Sequence, residues 1–389
     1  MPHRSHPTFD VAVVGGGIIG LAVAWRAQQR GLSTLLLERD AQVAQRATHA
    51  AAGMLAPVSE AHVAERELLA LGLASAARYP DFVAELEQAT PLPAGFLRCG
   101  TLAVARDRDE AEALDRERVA RAEMGLALER LLPSEARRRE PGLAPTLRLA
   151  LEAPDDHAVD PRTLAAALAD AFQRAGGVLR TGAAVANLTS SADKVTGVEL
   201  EDRDQLLAEH VVVAAGAWTP RLGGIPDAAR VPVRPVKGQI LRLRDPAGPG
   251  LITRVLRMDP GYLVPRGDGR YVLGATMEDR GFETDVTAGG VFELLRDATE
   301  LVPGISELVL EELEAGLRPG TPDNAPALGR GALDGLHWAA GHFRNGILLA
   351  PVTADLLLAS LTGEPLGELA APFAPDRFTE TDTTKEIAA

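Results

Sequence analysis

Cysteine is nearly absent from the sequence, because Cys99 is the one cysteine among 389 residues. A single thiol forms neither an internal disulfide nor a cysteine-based zinc site, so the composition favours a reducing compartment and we expect a cytoplasmic protein. The eight histidines show neither the HxxxH nor the HExxH spacing of histidine metal ligands on a helix. We therefore predict no bound metal.

Positive charge is also scarce. The sequence has 40 Lys and Arg against 54 Asp and Glu, a formal net charge of −14 at pH 7, and no long basic run. This charge balance argues against a nucleic-acid-binding protein, because such proteins carry a basic surface that contacts phosphates. The apolar run at 11–25 is interrupted by three glycines at 15–17, which argues against a signal peptide or a membrane span. We predict a globular protein without nucleic-acid or membrane partners.

Glycine, by contrast, is abundant at 38 residues, and its first cluster forms the motif GGGIIG at 15–20. The motif lies between a predicted strand at 10–14 and a predicted helix at 20–31, and a second strand follows at 33–37. In such a unit Gly15 permits a tight turn and Gly17 lets the backbone approach a pyrophosphate. Gly20 lets the helix pack closely on the strand. The pattern predicts a dinucleotide site, and Glu38 would accept the ribose hydroxyls, which disfavours NADP.

The fingerprint does not by itself distinguish FAD from NAD. Two distant segments bear on this choice, RATHAAAGML at 46–55 and GHFRNGI at 341–347. Small residues let backbone amides face a flat ring, and a helix N-terminus favours the negative charge of a reduced isoalloxazine. Tight helix packing is the alternative explanation for the alanines at 50–52.

The remaining pattern predicts an α/β fold in which an FAD-binding Rossmann-like domain is interleaved with a smaller strand-rich α+β substrate domain. We place the FAD-binding domain at 1–89, 151–226 and 316–378, the substrate domain at 90–150 and 227–315, and a tail at 379–389. Helices are predicted at 57–86, 107–127, 161–176, 291–301 and 348–361, and strands at 96–105, 177–200, 205–213, 231–243, 262–265, 270–275 and 311–317.

Several motifs resemble the D-amino-acid oxidase superfamily of FAD-dependent amino-acid oxidases, most closely its members that oxidise glycine in bacterial thiamine biosynthesis. The motifs are VVGGGIIG at 13–20, AAAGMLAP at 50–57, HVVVAAGAW at 210–218, PVKGQ at 235–239, YLVPR at 262–266, GATME at 274–278, GLRPGTPD at 316–323 and GHFRNGILLAP at 341–351. The resemblance implies that FAD contacts Gly15, Gly17, Ile18, Ile19, Gly20, Glu38, Arg46, Thr48, Ala52, Gly53, Met54, Val185, Ala215, Gly216, Trp218, His342, Phe343, Arg344, Asn345, Gly346 and Ile347.

The resemblance also implies three substrate-binding residues. Arg318 would hold the substrate carboxylate through its planar, permanently charged guanidinium, and Tyr262 would donate its hydroxyl to the same group. Arg344 would add positive charge near the substrate end of the flavin. The sequence departs from the resembled enzymes at Pro260-Gly261 and at His49, which bears on substrate preference. The charge of Lys237 could assist oxygen, but a lysine at a strand start is more often structural, so we assign it no catalytic role.

The implied reaction is oxidative deamination of glycine and small amines or D-amino acids, such as sarcosine and D-alanine. A hydride passes to the flavin, so no residue is required as a strong base. Molecular oxygen is the implied oxidant and the protein an implied homo-oligomer. FAD is expected to be non-covalent, because the segment 341–347 has no cysteine. Two alternatives remain: a dehydrogenase that passes electrons to another carrier, and a flavin-binding protein with a structural or sensing role.

Overall fold

The structure, a computed structural model, describes residues 8–378. The predicted tail at 379–389 and the residues before position 8 lie outside the described range.

The strands of the described chain are, in order, β1 (Phe9–Val14), β2 (Thr34–Leu37), β3 (Met54–Leu55), β4 (Phe96–Leu97), β5 (Thr101–Ala105), β6 (Glu129–Leu131), β7 (Leu149–Ala153), β8 (His157–Val159), β9 (Val178–Arg180), β10 (Val185–Ser191), β11 (Lys194–Leu200), β12 (Gln205–Val213), β13 (Arg234–Arg244), β14 (Val255–Met258), β15 (Gly261–Pro265), β16 (Arg270–Gly274), β17 (Val309–Gly320), β18 (Ala327–Arg330) and β19 (Leu336–Ala340). The α-helices are α1 (Ile18–Gln29), α2 (Ala47–Ala50), α3 (Arg66–Ala89), α4 (Arg108–Glu123), α5 (Pro133–Arg139), α6 (Pro161–Arg174), α7 (Ala288–Leu301) and α8 (Gly346–Thr362).

The first sheet is built around β1, which pairs in parallel with β2 on one side and β12 on the other. Its order is β10-β11-β12-β1-β2-β9, and β19 and β18 join beside β12. Alternate residues of β1 belong to two different hydrophobic clusters, so both faces of the strand are buried. This explains why its sequence is apolar without alternation. Helices α1, α3, α6 and α8 pack together on one face of this sheet.

The second sheet has the order β17-β13-β16-β15-β14-β5-β7-β6 and is mostly antiparallel. It combines strands from two separate parts of the chain, and α7 packs on one of its faces. Strand β17 continues to Gly320 and therefore passes through the predicted domain boundary at 315–316. The mixed α/β architecture expected from the sequence is confirmed, and the individual domain boundaries stay a prediction.

Three predicted elements differ from the structure. The strand predicted at 177–200 is three strands, β9, β10 and β11. The helical pattern at 57–86 becomes a helix only from Arg66, because the carboxylate of Asp156 accepts hydrogen bonds from the amides of Val58 and Ser59 and holds that segment in turns. The strand predicted at 96–105 is two strands in different sheets. Strand β4 pairs with β8, whereas β5 joins the second sheet, and Gly100 turns the chain between them at a φ of +69°.

One helical stretch, Phe343–Thr362, is long and apolar enough to cross a membrane by length and composition alone. However, 61% of its most apolar window is buried inside the protein. A buried core helix passes the same test, so this stretch is only weak support for a membrane span.

Helix α8 contains Pro351, which has no amide hydrogen and leaves the carbonyl of Ile347 without its helical partner. The hydroxyl of Tyr79 on α3 donates to that carbonyl at 2.5 Å, and Ser75 donates to the carbonyl of Leu348 at 2.6 Å. Tyr79 is buried, and burial raises the pKa of its phenol, so the hydroxyl stays protonated. Helix α3 therefore supports the first turn of α8.

We expect Tyr79→Phe to lower the free energy of unfolding by about 1–3 kcal/mol, because it leaves a buried carbonyl without a donor. Chemical denaturation measures the change. Ser306→Ala is the control, since the Ser306 hydroxyl binds an exposed carbonyl that water can reach, and its loss should cost less than about 0.5 kcal/mol. Equal losses in the two variants would show that Tyr79 does not support the helix in this way.

Candidate active site and cofactor cavity

A cavity of about 1150 Å³ lies between the two sheets. It extends from Glu38, at the end of β2, to Tyr262 and Arg318 on the second sheet. This volume slightly exceeds the ~300–1,000 Å³ of ordinary small-molecule sites. One continuous space can therefore hold a dinucleotide and a small substrate.

The turn between β1 and α1 forms one end of the cavity. Gly15 has a φ of +113°, and a Cβ there would lie 2.4 Å from the carbonyl oxygen of Ala214. Helix α1 begins after Gly17 without a side-chain cap, and Gly17, Ile18 and Ile19 line the cavity. Backbone amides at such a helix N-terminus favour an anion, so this turn is suited to a pyrophosphate.

Glu38 lies beside this turn and is buried, with an exposed fraction of 7%. One carboxylate oxygen accepts the amide of Gly16 at 2.8 Å, and the other accepts the amide of Asp40 at 2.9 Å. Burial raises the pKa of Glu38, and the two amides partly oppose that shift. A carboxylate held in this way has the chemistry to accept sugar hydroxyls next to the pyrophosphate site.

Trp218 and two arginines form the outer wall near Glu38. The guanidinium groups of Arg39 and Arg46 lie 5.7 and 5.3 Å from the Trp218 ring centre. Arg46 also donates two hydrogen bonds to Asp40, at 2.7 and 2.6 Å, and this pairing lowers the pKa of the Asp40 carboxyl. Arg46 therefore already has a carboxylate partner beside the cavity.

The segment from α2 to β3 lines the middle of the cavity. The Thr48 hydroxyl accepts the Ile18 amide at 3.0 Å and so ties this segment to the first turn of α1. Ala50, Ala51, Ala52, Gly53 and Met54 follow along the cavity wall. Gly53 has a φ of +80°, and a Cβ there would lie 1.9 Å from the carbonyl oxygen of Val159. The small residues serve both close packing and the approach of a planar ligand.

The segment 341–347 forms the opposite wall. His342 is buried and its Nε2 lies 3.0 Å from the Thr353 hydroxyl, and burial lowers the pKa of this imidazole to about 3. Phe343 has a φ of +47°, an uncommon conformation for an aromatic residue. Helix α8 then begins at Gly346 with no side-chain cap, and its first residues face the cavity. This helix terminus favours negative charge on a bound ring.

Arg318 and Tyr262 mark the other end of the cavity. Arg318 Nη1 donates to the backbone carbonyls of Lys237, at 3.3 Å, and Thr276, at 3.1 Å. Among the residues that the structure describes, no carboxylate lies within ion-pair distance of Arg318. Burial raises the pKa of Tyr262, and the neighbouring Arg318 partly opposes the shift, so the phenol is a hydrogen-bond donor at neutral pH. Together the two groups are suited to bind a carboxylate.

Two glycines make room for these groups. A Cβ on Gly238 would lie 2.3 Å from Arg318 Nη1, and a Cβ on Gly274 would lie 2.9 Å from the Tyr262 hydroxyl. Arg344, by contrast, is exposed at the cavity mouth, where its Nη2 is 4.0 Å from Glu65. The two half-buried groups are thus closely confined by backbone, and Arg344 lies at the edge.

Nearly all residues predicted from the sequence line this one cavity. They are Gly15, Gly17, Ile18, Ile19, Glu38, Arg46, Thr48, Ala52, Gly53, Met54, Val185, Ala215, Gly216, Trp218, Tyr262, Arg318, His342, Phe343, Arg344, Asn345, Gly346 and Ile347. Gly20 does not line it. A Cβ on Gly20 would lie 1.9 Å from the carbonyl oxygen of Gly15, so this glycine serves the contact between helix and strand rather than a ligand.

Other cavity residues received no role from the sequence. Four of them lie within the quoted motifs PVKGQ and GATME, namely Gly238, Gln239, Thr276 and Glu278. A fifth, Glu60, follows the motif AAAGMLAP. The motifs drew attention to these segments. Their contacts depend on the pairing of strands that are distant in sequence, which a local pattern does not reveal.

His49, Glu312 and Glu314 bring three possible metal ligands within 4.8 Å of one another. Their charges are matched by arginines, however. Arg162 binds Glu312 at 2.9 Å and Glu314 at 2.8 Å, and Arg242 binds Glu314 at 3.1 Å. Because the chain itself supplies cations to this cluster, we assign no metal to it.

The cavity fits FAD. The amide-lined turn after β1 would hold the pyrophosphate, Glu38 the ribose, and the segments 50–54 and 341–347 the flavin. These features define an FAD-dependent oxidoreductase. Residues 10–360 match the family model of the FAD dependent oxidoreductases (DAO), and the chain belongs to this family.

Individual relatives agree with this assignment. The chain is 37% identical over 364 residues to the glycine oxidase of Geobacillus kaustophilus, covering 93% of each chain. It superposes on the crystal structure of glycine oxidase from Geobacillus kaustophilus with a TM-score of 0.88 and 34% identity, covering 99% of this chain and 100% of the other. It is also 39% identical over 385 residues to the bifunctional protein ThiO/ThiG of Synechocystis sp., which covers 96% of this chain. The chain spans about half the length of that relative, 55%.

We expect Gly15→Ala to abolish tight FAD binding, because its Cβ would clash with Ala214 and its φ of +113° disfavours any side chain. Absorbance of the purified protein measures FAD content, and a fall to below about a tenth of wild type corresponds to at least ~1.4 kcal/mol of lost binding. Gly31→Ala is the matched control, since Gly31 has a φ of +88° with no atom near its Cβ. If both variants keep their FAD, the turn does not hold the pyrophosphate.

Proposed function

We propose that the protein is an oxidase that deaminates glycine and small amines or D-amino acids such as sarcosine and D-alanine. The observation that carries this proposal is Arg318, a cavity arginine held by neutral carbonyls beside the Tyr262 hydroxyl. A permanently charged guanidinium with no carboxylate partner among residues 8–378 is suited to the carboxylate of an amino acid. The glycine oxidases among its relatives support the choice of a small substrate.

The residues act mainly by binding and orientation. Arg318 and Tyr262 would hold the carboxylate and so place the α-carbon against the flavin segment, while Arg344 closes the mouth of the cavity. FAD, when bound, supplies the acceptor for a hydride from that α-carbon. The overall reaction converts the amino acid, water and molecular oxygen into a 2-oxo acid, hydrogen peroxide and ammonia, with methylamine in place of ammonia when the substrate is sarcosine. We assign no residue as general base.

We propose a role in thiamine biosynthesis, and we propose that the protein works in the cytoplasm as a homo-oligomer. The thiamine role is supported by the resemblance of the motifs to glycine-oxidising enzymes of that pathway. The cytoplasmic location is supported by the composition, with Cys99 as the one cysteine.

Anaerobic reduction of the purified holoenzyme tests the substrate class. We expect glycine or sarcosine to bleach the flavin absorbance and L-amino acids to leave it unchanged, and we expect peroxide to form in air. D-alanine and D-proline complete the panel. Bleaching without peroxide would indicate a dehydrogenase with another electron acceptor. A preference for a bulky D-amino acid would contradict the small-substrate proposal, and no bleaching by any of these compounds would favour a structural or sensing role.

We expect Arg318→Ala to lower kcat/KM by roughly thirty-fold to several thousand-fold. Truncating one member of a buried charge pair costs ~2–5 kcal/mol, and ~1.36 kcal/mol corresponds to one decade in rate. Arg318→Lys should recover part of the loss, because it keeps the charge without the planar fork.

FAD content should remain near wild type in both Arg318 variants. Arg244→Ala, which removes an exposed ion pair of β13 with Glu311, is the control and should change kcat/KM less than about two-fold. A loss below about three-fold in Arg318→Ala, or one that follows FAD content, would refute the carboxylate assignment.

A further inference from the structure

Lys237 lies in the interior of β13 and is completely buried, with an exposed fraction of 0%. Its Nζ lies 3.3 Å from Glu278 Oε2 and 3.5 Å from Glu283 Oε1. Removing an ammonium group from water is costly unless it is paired, and an apolar side chain at this position avoids that cost. The roles assigned above to the cavity residues do not account for this buried lysine.

Lys237 and Glu278 are joined twice. Their backbones form a hydrogen-bonded bridge in which each amide donates to the other residue's carbonyl at 2.9 Å. Their side chains then form the ion pair. Glu278 Oε1 also accepts hydrogen bonds from Gln239 Nε2, at 2.7 Å, and Thr276 Oγ1, at 2.6 Å. Although burial raises the pKa of Glu278, the hydrogen bonds and the charge of Lys237 outweigh it and hold the group ionised.

The two segments joined in this way are the segments that hold Arg318. Its Nη1 donates to the carbonyl of Lys237 on β13 and to the carbonyl of Thr276, two residues after β16. Gly238 lies directly against the guanidinium, because a Cβ there would be 2.3 Å from Nη1. The guanidinium therefore has little space to adjust if either carbonyl moves. A fork that binds a carboxylate through two hydrogen bonds is sensitive to such a displacement.

We propose that the Lys237–Glu278 ion pair is a positioning device, which fixes the two backbone carbonyls that orient Arg318 toward the substrate carboxylate. This inference rests on the proposed function of Arg318 and adds residues that do not contact the substrate. Loosening the pair weakens carboxylate binding and leaves the FAD segments, which belong to other parts of the cavity, unchanged.

The test uses the FAD-loaded protein and acetate, a carboxylate of glycine's size that has no amine to oxidise. Acetate binding is measured by its perturbation of the flavin absorbance, and KM and kcat are measured with glycine. We expect Lys237→Met and Glu278→Gln each to raise the acetate Kd and the glycine KM by roughly ten-fold, as for coupled neighbouring residues, with kcat changed less than about three-fold. Lys237→Arg keeps the charge and should restore part of the affinity.

A double-mutant cycle separates positioning from other effects. In an Arg318→Ala background, Lys237→Met should cause no further change in acetate binding, because there is no guanidinium left to orient. A direct effect of the Lys237 charge would persist in that background. Glu140→Gln is the matched control, since Glu140 is a buried carboxylate that binds Arg254 at 3.0 Å and does not line the cavity. It should lower the Tm without changing the acetate Kd.

The outcomes distinguish the two proposals. If Arg318→Ala binds acetate as well as wild type, the carboxylate assignment itself fails. If Arg318→Ala loses acetate binding, the carboxylate assignment stands. The positioning role is then wrong if Lys237→Met has the same effect on acetate binding in both backgrounds, or if its effect follows the loss of FAD. Should Lys237→Met not fold, Glu278→Gln in the same two backgrounds decides the question by the same criteria.

Discussion

Strand β17 lies against helix α2 at a distance that only a glycine permits, because a Cβ on Gly316 would be 2.6 Å from the Cβ of Ala50. Two residues further along, the same strand carries Arg318 into the cavity. Helix α2 also carries Thr48, whose hydroxyl accepts an amide at the start of α1. A short series of contacts therefore connects the turn between β1 and α1 with Arg318 at the other end of the cavity. Since interiors are close-packed, a shift at this contact would move the two ends of the cavity relative to each other.

The arginines near this contact fall into two groups according to their partners. Arg162 and Arg242 bind Glu312 and Glu314 behind α2, and their charges are matched within the protein. Arg318 projects into the cavity from the same strand as those glutamates, and its Nη1 donates to two backbone carbonyls. The charges of the first group are therefore matched within the protein, whereas Arg318 retains its charge for a ligand.

The sequence was sufficient for features whose cause is local. A strand, a glycine turn, a helix and a terminal acid are close in the chain, so their spacing alone predicted the nucleotide end of the cavity. The sequence was insufficient for features that depend on contacts between residues distant in the chain. The pattern at 96–105 is uniformly strand-like, but its two halves pair with different sheets. Lys237 was interpreted as a structural lysine at a strand start, but it lies inside β13 and is buried, and its partners Glu278 and Glu283 follow some forty residues later.

Glycines at the substrate end do not widen the cavity, although a cluster of glycines suggests open space. The volume left by Gly238 is occupied by the Arg318 guanidinium, and that left by Gly274 by the Tyr262 ring. Both glycines thus make room for Arg318 and Tyr262. Met258, Pro260 and Met277 line this end of the cavity. The free space beside Arg318 and Tyr262 is therefore bounded by side chains other than these two groups.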